Sequence, residues 1–323
     1  MKIMPSGYMS RRTLLKGAAA LGGVAAGPGR LLARVPGVAK TLAASRAELA
    51  AKPIEEVKLT NAITMFSGPG GNVVVRHGDF DKVVVDTFVQ GAFPALKQRL
   101  DAMGNAPILY VINTNWLFDH TDNNESFRKA GAEIVAHENT KRRLSEPHDL
   151  LGIHFVPAPK AALPTQTFTQ FRDVKLEVPP GLEEYIDLGY LPRAHNDTDI
   201  YAHFVMGDVL HLGDTFLNGM YPFIDGEMGG SIGGMIAAVE GALKGVNPRT
   251  KIVPGHGPVA DRAALMRYRD MLVTVRDRVQ KLKTAGRSER EAVAAKPAAD
   301  LDATWGQEFV QSDEFVSMVY KTL

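Results

Sequence analysis

The stretch Asn113-Thr114-Asn115-Trp116-Leu117-Phe118-Asp119-His120-Thr121-Asp122 follows the apolar run Ile108-Leu109-Tyr110-Val111-Ile112 and ends it with a cluster of side chains able to hold ions or protons. A short run of β-prone residues bounded by polar ones reads as a buried strand, which places the cluster in the loop at that strand's carboxyl end. Asp119 and His120 are adjacent, so one tight loop offers an oxygen and a nitrogen to a single ion. The same two residues also suit the entry of the helix read over 124–130, where Asp and Asn make good caps.

Working outward, three more strand ends carry residues of this kind. His195 and Asp199 precede the strand read over Ile200–Met206, Asp214 follows Val209–Leu212, and His256 follows Lys251–Val253 within Pro254-Gly255-His256-Gly257-Pro258. Flanking glycines let a backbone turn sharply and bring an imidazole out of a sheet edge. Four such loops, converging, would make one site.

The rest of the chain supplies two sheets and their helices. Strands are read over Ile63–Phe66, Asn72–Val75 and Lys82–Thr87, a helix over Phe93–Met103, a strand over Glu133–Ala136 and a helix over Asn139–Leu144. A second set of strands covers Gln166–Phe171, Val174–Val178, Leu182–Ile186, Ile200–Met206 and Val209–Leu212; Ile232–Leu243 is helical, and the tail from Ala260 is helical and charged. The first strands are joined by Gly-rich turns and begin an antiparallel sheet, after which the rhythm becomes β-α-β. One domain with a sheet in each half and helices outside fits the length.

Composition narrows the chemistry. The chain has 323 residues, 45% of them apolar and 23% charged, which excludes disordered, collagen-like and coiled-coil classes. It has no cysteine, so thiolate catalysis, disulfides and cysteine-bound metals are excluded, and any metal must sit on His, Asp or Glu. Seven of the 37 basic residues lie in residues 1–44, which hold no acidic one, leaving 30 basic against 36 acidic beyond them. A mildly acidic body gives no electrostatic support to a nucleic-acid or anionic-membrane partner.

Ser10-Arg11-Arg12-Thr13-Leu14-Leu15-Lys16, followed by the Ala/Gly-rich stretch Gly17–Gly27, resembles a twin-arginine export signal. Residues 1–45 are accordingly read as signal and linker, and 46–323 as the folded domain with a helical extension from about 260. The resemblance implies passage through the twin-arginine export machinery and a periplasmic or secreted location, with no stable membrane anchor after processing.

The site residues themselves resemble the metallo-β-lactamase-fold hydrolases, in the family's order, from about Lys58 to Val259. Val83-Val84-Val85-Asp86 is similar to the strand ending in the family's buried Asp, and Asn113 to Asp122 lies on its T-H-x-H-x-D-H signature. His195 with Asp199, Asp214 in His211-Leu212-Gly213-Asp214-Thr215, and His256 are similar to the remaining ligand loops. The implied fold is α/β (α+β), a four-layer αββα sandwich with the site at one rim of the sheets.

The departures matter as much. The first two signature histidines fall on Asn115 and Leu117, so the first metal site keeps only His195 as a remnant, while Asp119, His120 and His256 keep the second, with Asp214 able to close it. The resemblance therefore implies one divalent ion, zinc first, with iron or manganese as alternatives. The activity it implies is hydrolysis of an ester, lactone, amide or related bond of a small-molecule substrate by metal-bound water or hydroxide, with Asp119 or His195 as proton acceptor. The alternative is a metal-poor, non-catalytic relative that binds a ligand or a protein partner. Trp116, Tyr221, Phe223 and Asp225 are further candidates for the pocket lining.

Overall fold

In a computed structural model, which describes residues 46–150, 153–176 and 184–323, two sheets lie face to face. The export segment read over residues 1–45 lies outside the described residues. The first sheet has the order β1 (Glu55–Lys58), β2 (Ile63–Gly68), β3 (Gly71–His77), β4 (Lys82–Val85), β5 (Ile108–Ile112), β6 (Glu133–His137) and β9 (Gln166–Phe168). A hairpin of β7 (His148–Leu150) and β8 (Ile153–Phe155) stands apart from it. The second sheet has the order β10 (Phe171–Leu176), β11 (Glu184–Tyr190), β12 (Ile200–Phe204), β13 (Val209–His211) and β14 (Lys251–Val253).

Alternation along the strands decides the layers, because successive side chains of a strand point to opposite faces. In β4, Val83 and Val85 enter the core between the sheets, where they meet Ile186, Leu188, Ala202 and Phe204 of the second sheet. Val84 points the other way and packs, with Val73, Val75 and Val111, under Leu96 and Leu100 of α1 (Phe93–Ala102). Leu210 and Ile252, on the outer face of the second sheet, are covered by Met235 and Val239 of α5 (Ile232–Gly245) and by Leu265, Tyr268 and Leu272 of α6 (Arg262–Thr284). Burying one such Val or Leu contributes about 1.5–3 kcal/mol. The result is the four-layer αββα sandwich.

Short helices complete it: α2 (Phe118–Thr121), α3 (Asn124–Lys129) and α4 (Glu138–Ser145) between the strands, and α7 (Glu289–Ala294), α8 (Asp302–Trp305) and α9 (Ser312–Thr322) in the tail. Phe315 and Val319 of α9 return to the core beneath α5 and α6. Among the described residues no helix is long and apolar enough to cross a membrane.

One strand reading is corrected. Gln166–Phe171 is not a single strand: the chain leaves the first sheet after Phe168 and begins the second at Phe171. The turn between is held by Tyr190, whose N–H donates to the Gln170 carbonyl at 2.9 Å. Neither Gly nor Pro marks this crossing.

The pairing positions the site. β4, β5, β6 and β9 run parallel to one another, as do β13 and β14, so the loops after β4 and β5 leave one sheet edge and those after β13 and β14 leave the edge of the other. Asn72 on β3 fastens the two edges together. Its N–H donates to the Gly255 carbonyl at 2.9 Å, and its Nδ2 to the carbonyls of Pro254 and Gly257 at 2.9 Å each.

Candidate metal centre

At this rim the four loops meet. The nitrogen or oxygen atoms that Asp119, His120 and His256 could offer an ion all lie within 4.8 Å of one another. His120 Nε2 is 3.1 Å from Asp214 Oδ2 and 3.7 Å from Asp119 Oδ2. His256 Nε2 is 3.2 Å from Asp119 Oδ2 and 3.5 Å from Asp214 Oδ1. The structure thus brings together the four residues read from sequence as metal ligands.

Three loops place them, Asp119 and His120 sharing the one after β5. Asp86 turns the chain out of β4 with φ of 66°, in the left-handed region that Asp tolerates better than most residues. Its carboxylate accepts from the Thr114 N–H at 2.8 Å and from Thr114 Oγ1 at 2.7 Å, and its Oδ2 lies 2.8 Å from His120 Nδ1. The His120 ring is therefore oriented by Asp86, with Nε2 aimed at the centre. Close approach of the last two loops requires glycine: a Cβ on Gly255 would lie 2.1 Å from Asp214 Oδ1.

Asp119 sits in the single turn α2, and that turn begins without a side-chain cap. Asn123, before α3, also makes no capping bond; its Nδ2 donates instead to the carbonyls of Thr87, Phe88 and Val89 at 2.8, 3.0 and 2.9 Å. The reading of this cluster as helix caps is set aside on that ground. Asp122 points away from the centre, taking Arg46 Nη2 at 2.6 Å and the Gln90 N–H at 2.9 Å.

Asn115 reaches the cluster as a hydrogen-bond donor and not as a ligand. Its Oδ1 accepts the Leu117 N–H at 2.8 Å, and its Nδ2 donates to Asp214 Oδ2 at 3.2 Å. The Leu117 side chain lines the cavity over the centre, as do His195, Tyr221 and Phe223. Trp116 and Asp225 do not line it: Trp116 packs edge-on against His148 and Phe155 of the β7–β8 hairpin. His195 Nδ1 is 3.1 Å from Asp199 Oδ1, while its Nε2 is buried without a hydrogen-bond partner.

The electrostatics favour a cation. Burial alone would lower the His120 imidazole, but Asp214, Asp86 and Asp119 together raise it well above its ordinary value. Burial works against His256 likewise, and the Asp119 and Asp214 carboxylates outweigh it. Burial would raise Asp214, yet His120, with His256 and His195 farther out, holds it well below the usual carboxylate range. Asp119 Oδ1 and Asp214 Oδ1 are buried with no hydrogen-bond partner. Two imidazoles and two carboxylates with spare oxygens form a donor set that suits zinc, iron or manganese.

Thr114, Asn72 and His211 belong to this site and were not singled out from sequence. His211 is fully buried, accepts the Gly213 N–H on Nδ1 at 3.0 Å and stands 3.8 Å from Asp86 Oδ2. The strand-end position that flags Asp214 flags His211 too.

The chain belongs to the metallo-β-lactamase superfamily, whose family model matches residues 68–256. Members of this superfamily are typically metal-dependent hydrolases, and the fold binds divalent metals, usually zinc. Among solved structures the chain is similar to a metallo-β-lactamase from Pontibacter korlensis (TM-score 0.55, 14% identity, 68% of this chain and 99% of that one). It is similar to a metallo-β-lactamase from Hirschia baltica (TM-score 0.53, 20% identity, 68% of this chain and 98% of that one). It also resembles the stereoselective inverting sec-alkylsulfatase from Pseudomonas sp. (TM-score 0.61, 15% identity), with 83% of this chain matching 50% of that one. At these identities the likeness is one of fold. No curated protein sequence matches the chain.

Proposed function

We propose that this chain is a hydrolase working with one divalent ion, held by Asp119, His120, Asp214 and His256, on an ester, lactone, amide or related bond. The observation that carries the reading is the set of buried atoms without a hydrogen-bond partner, Asp119 Oδ1, Asp214 Oδ1 and His195 Nε2, around a single cavity. A divalent ion bound there supplies Lewis acidity and brings the pKa of a water it holds down to about 7.

The chain's own residues supply the rest. His195, its Nδ1 proton donated to Asp199, presents Nε2 as the acceptor for a proton of the attacking water and returns that proton to the leaving group. Asp86 keeps His120 from rotating, and Asn115 and Leu117, standing where a first site would have its histidines, leave His195 unligated for this task. Residues 1–45 fit the reading as a twin-arginine signal, delivering a folded, metal-loaded periplasmic or secreted domain over 46–323.

The test is turnover of a generic ester panel by the full chain. Activity should disappear on chelation and return with zinc, iron or manganese. His195→Gln should lower kcat at least about 10²-fold with metal content unchanged. Neither bound metal nor turnover of any ester, lactone or amide would instead support the metal-poor, non-catalytic alternative.

A further inference from the structure

The cavity over the metal centre, about 200 Å³ in volume, has two unlike ends. Asp119, His195, Asp214 and His256 form a polar floor, and the walls above it are Leu49, Leu117, Phe118, Leu217, Phe309 and Val310. Leu49, Phe309 and Val310 lie outside residues 68–256, so part of this wall is built by segments beyond the part matched to the superfamily. Both segments are fixed in place. Arg46 Nη2 reaches Asp122 at 2.6 Å, and Val310 is buried in the core with Tyr221 and Tyr268. Leu117 adds to the wall at the position of a signature histidine, beside Asp119.

The charges near the wall offset each other. Lys52 and Glu308 both line the cavity and interact with one another, Lys52 also with Glu48, and no arginine lines it among the described residues. An anionic substrate end would find no dedicated cation along these walls, whereas an apolar chain would find them largely apolar.

We propose that this cavity takes the aliphatic chain of a neutral carboxylic ester, on the order of six to ten heavy atoms long. The ester carbonyl lies over the floor, and the chain runs along Leu117, Leu217 and Phe309. In the reaction a bond forms between the water oxygen and the acyl carbon, the acyl carbon–oxygen bond breaks, and the water proton, carried by His195 Nε2, leaves on the alcohol. The chemistry rests on the hydrolase reading; the chain pocket does not.

Two measurements on the full, metal-loaded protein keep these apart. In calorimetry with straight-chain alcohols of two to ten carbons, Kd should tighten by up to about fourfold per methylene and level off once the cavity is full. Hexan-1-ol should bind at least tenfold more tightly than 6-hydroxyhexanoate. Phe309→Asp and Leu49→Asp, both at partly exposed positions, should each weaken hexan-1-ol at least fivefold while circular dichroism stays unchanged. For p-nitrophenyl esters, kcat/KM should rise with acyl length over the same range. Binding that ignores chain length, equal binding of the two six-carbon ligands, or wall variants that bind as the wild type does would overturn the proposal. Length-dependent binding with no ester turnover would support the pocket and count against the hydrolase reading.

Discussion

Asn115 donates from Nδ2 to Asp214 Oδ2 at 3.2 Å, and its Oδ1 accepts the Leu117 N–H at 2.8 Å. Both ends of the side chain at the first signature position are thus committed within the protein, and Leu117 has no donor atom at all. Restoring imidazoles at both places should rebuild a second site with His195. The double variant Asn115→His, Leu117→His should therefore take up one more ion than the wild type on zinc titration, and an unchanged stoichiometry would show that these positions do not face the centre.

Asp86 touches no ion in this account and acts by orienting His120, 2.8 Å from its Nδ1. Outer partners of this kind typically contribute 10–100-fold in metal affinity. Asp86→Asn keeps the shape and tolerates the left-handed backbone, so it should weaken zinc by about that factor in chelator competition. Affinity within twofold of wild type would remove Asp86 from the metal centre's support.

Gly255 sits where the Asp214 and His256 loops cross. A Cβ there would come within 2.1 Å of Asp214 Oδ1 and 2.9 Å of the Asp214 backbone nitrogen, neither of which can give way without moving a ligand. Gly255→Ala should cost about 1–3 kcal/mol in urea unfolding and a larger share of metal affinity than of stability. Gly255 does not have positive φ, so the cost arises from the clash; Gly241, whose added Cβ would meet nothing within 4 Å and which also lacks positive φ, provides the control as Gly241→Ala.

His137 gives a pH dependence away from the centre. Its ring stacks on Tyr190 at 3.9 Å, its Nε2 donates to the Thr169 carbonyl at 3.0 Å, and its Nδ1 accepts the Asn139 N–H at 3.2 Å to cap α4. Burial depresses its pKa below the ordinary histidine value, with the Thr169 carbonyl opposing. The unfolded chain therefore takes up the proton first. The stability His137 contributes is present above about pH 6.5 and lost as pH falls through the lower folded value. His137→Gln should flatten the wild-type loss of stability between about pH 7 and pH 5; the same slope in both proteins would contradict this.

The fold and the floor of the site were legible for a shared reason. Strands such as Ile108–Ile112 and Lys251–Val253 are short apolar runs with sharp polar ends, and functional residues gather at those ends, where loops leave the sheet. What held the loops together was not legible. Asn72 reads as an unremarkable polar residue before three valines, yet it fastens the His256 loop to the first sheet through three hydrogen bonds. Thr114 was hidden in the same way by its own motif. The apolar wall escaped because Leu49 and Phe309 lie 260 positions apart by number and meet only through tertiary packing, which leaves no periodic trace in either segment. The β7–β8 hairpin, with three residues per strand, is too short for alternation to reveal.

The most direct test is elemental analysis of the protein expressed with its own signal and purified without chelator. Roughly one equivalent of zinc, iron or manganese per chain is expected, reduced to near zero by His120→Ala together with His256→Ala. Less than about 0.3 equivalents in the wild type, or the same content in the double variant, would contradict it.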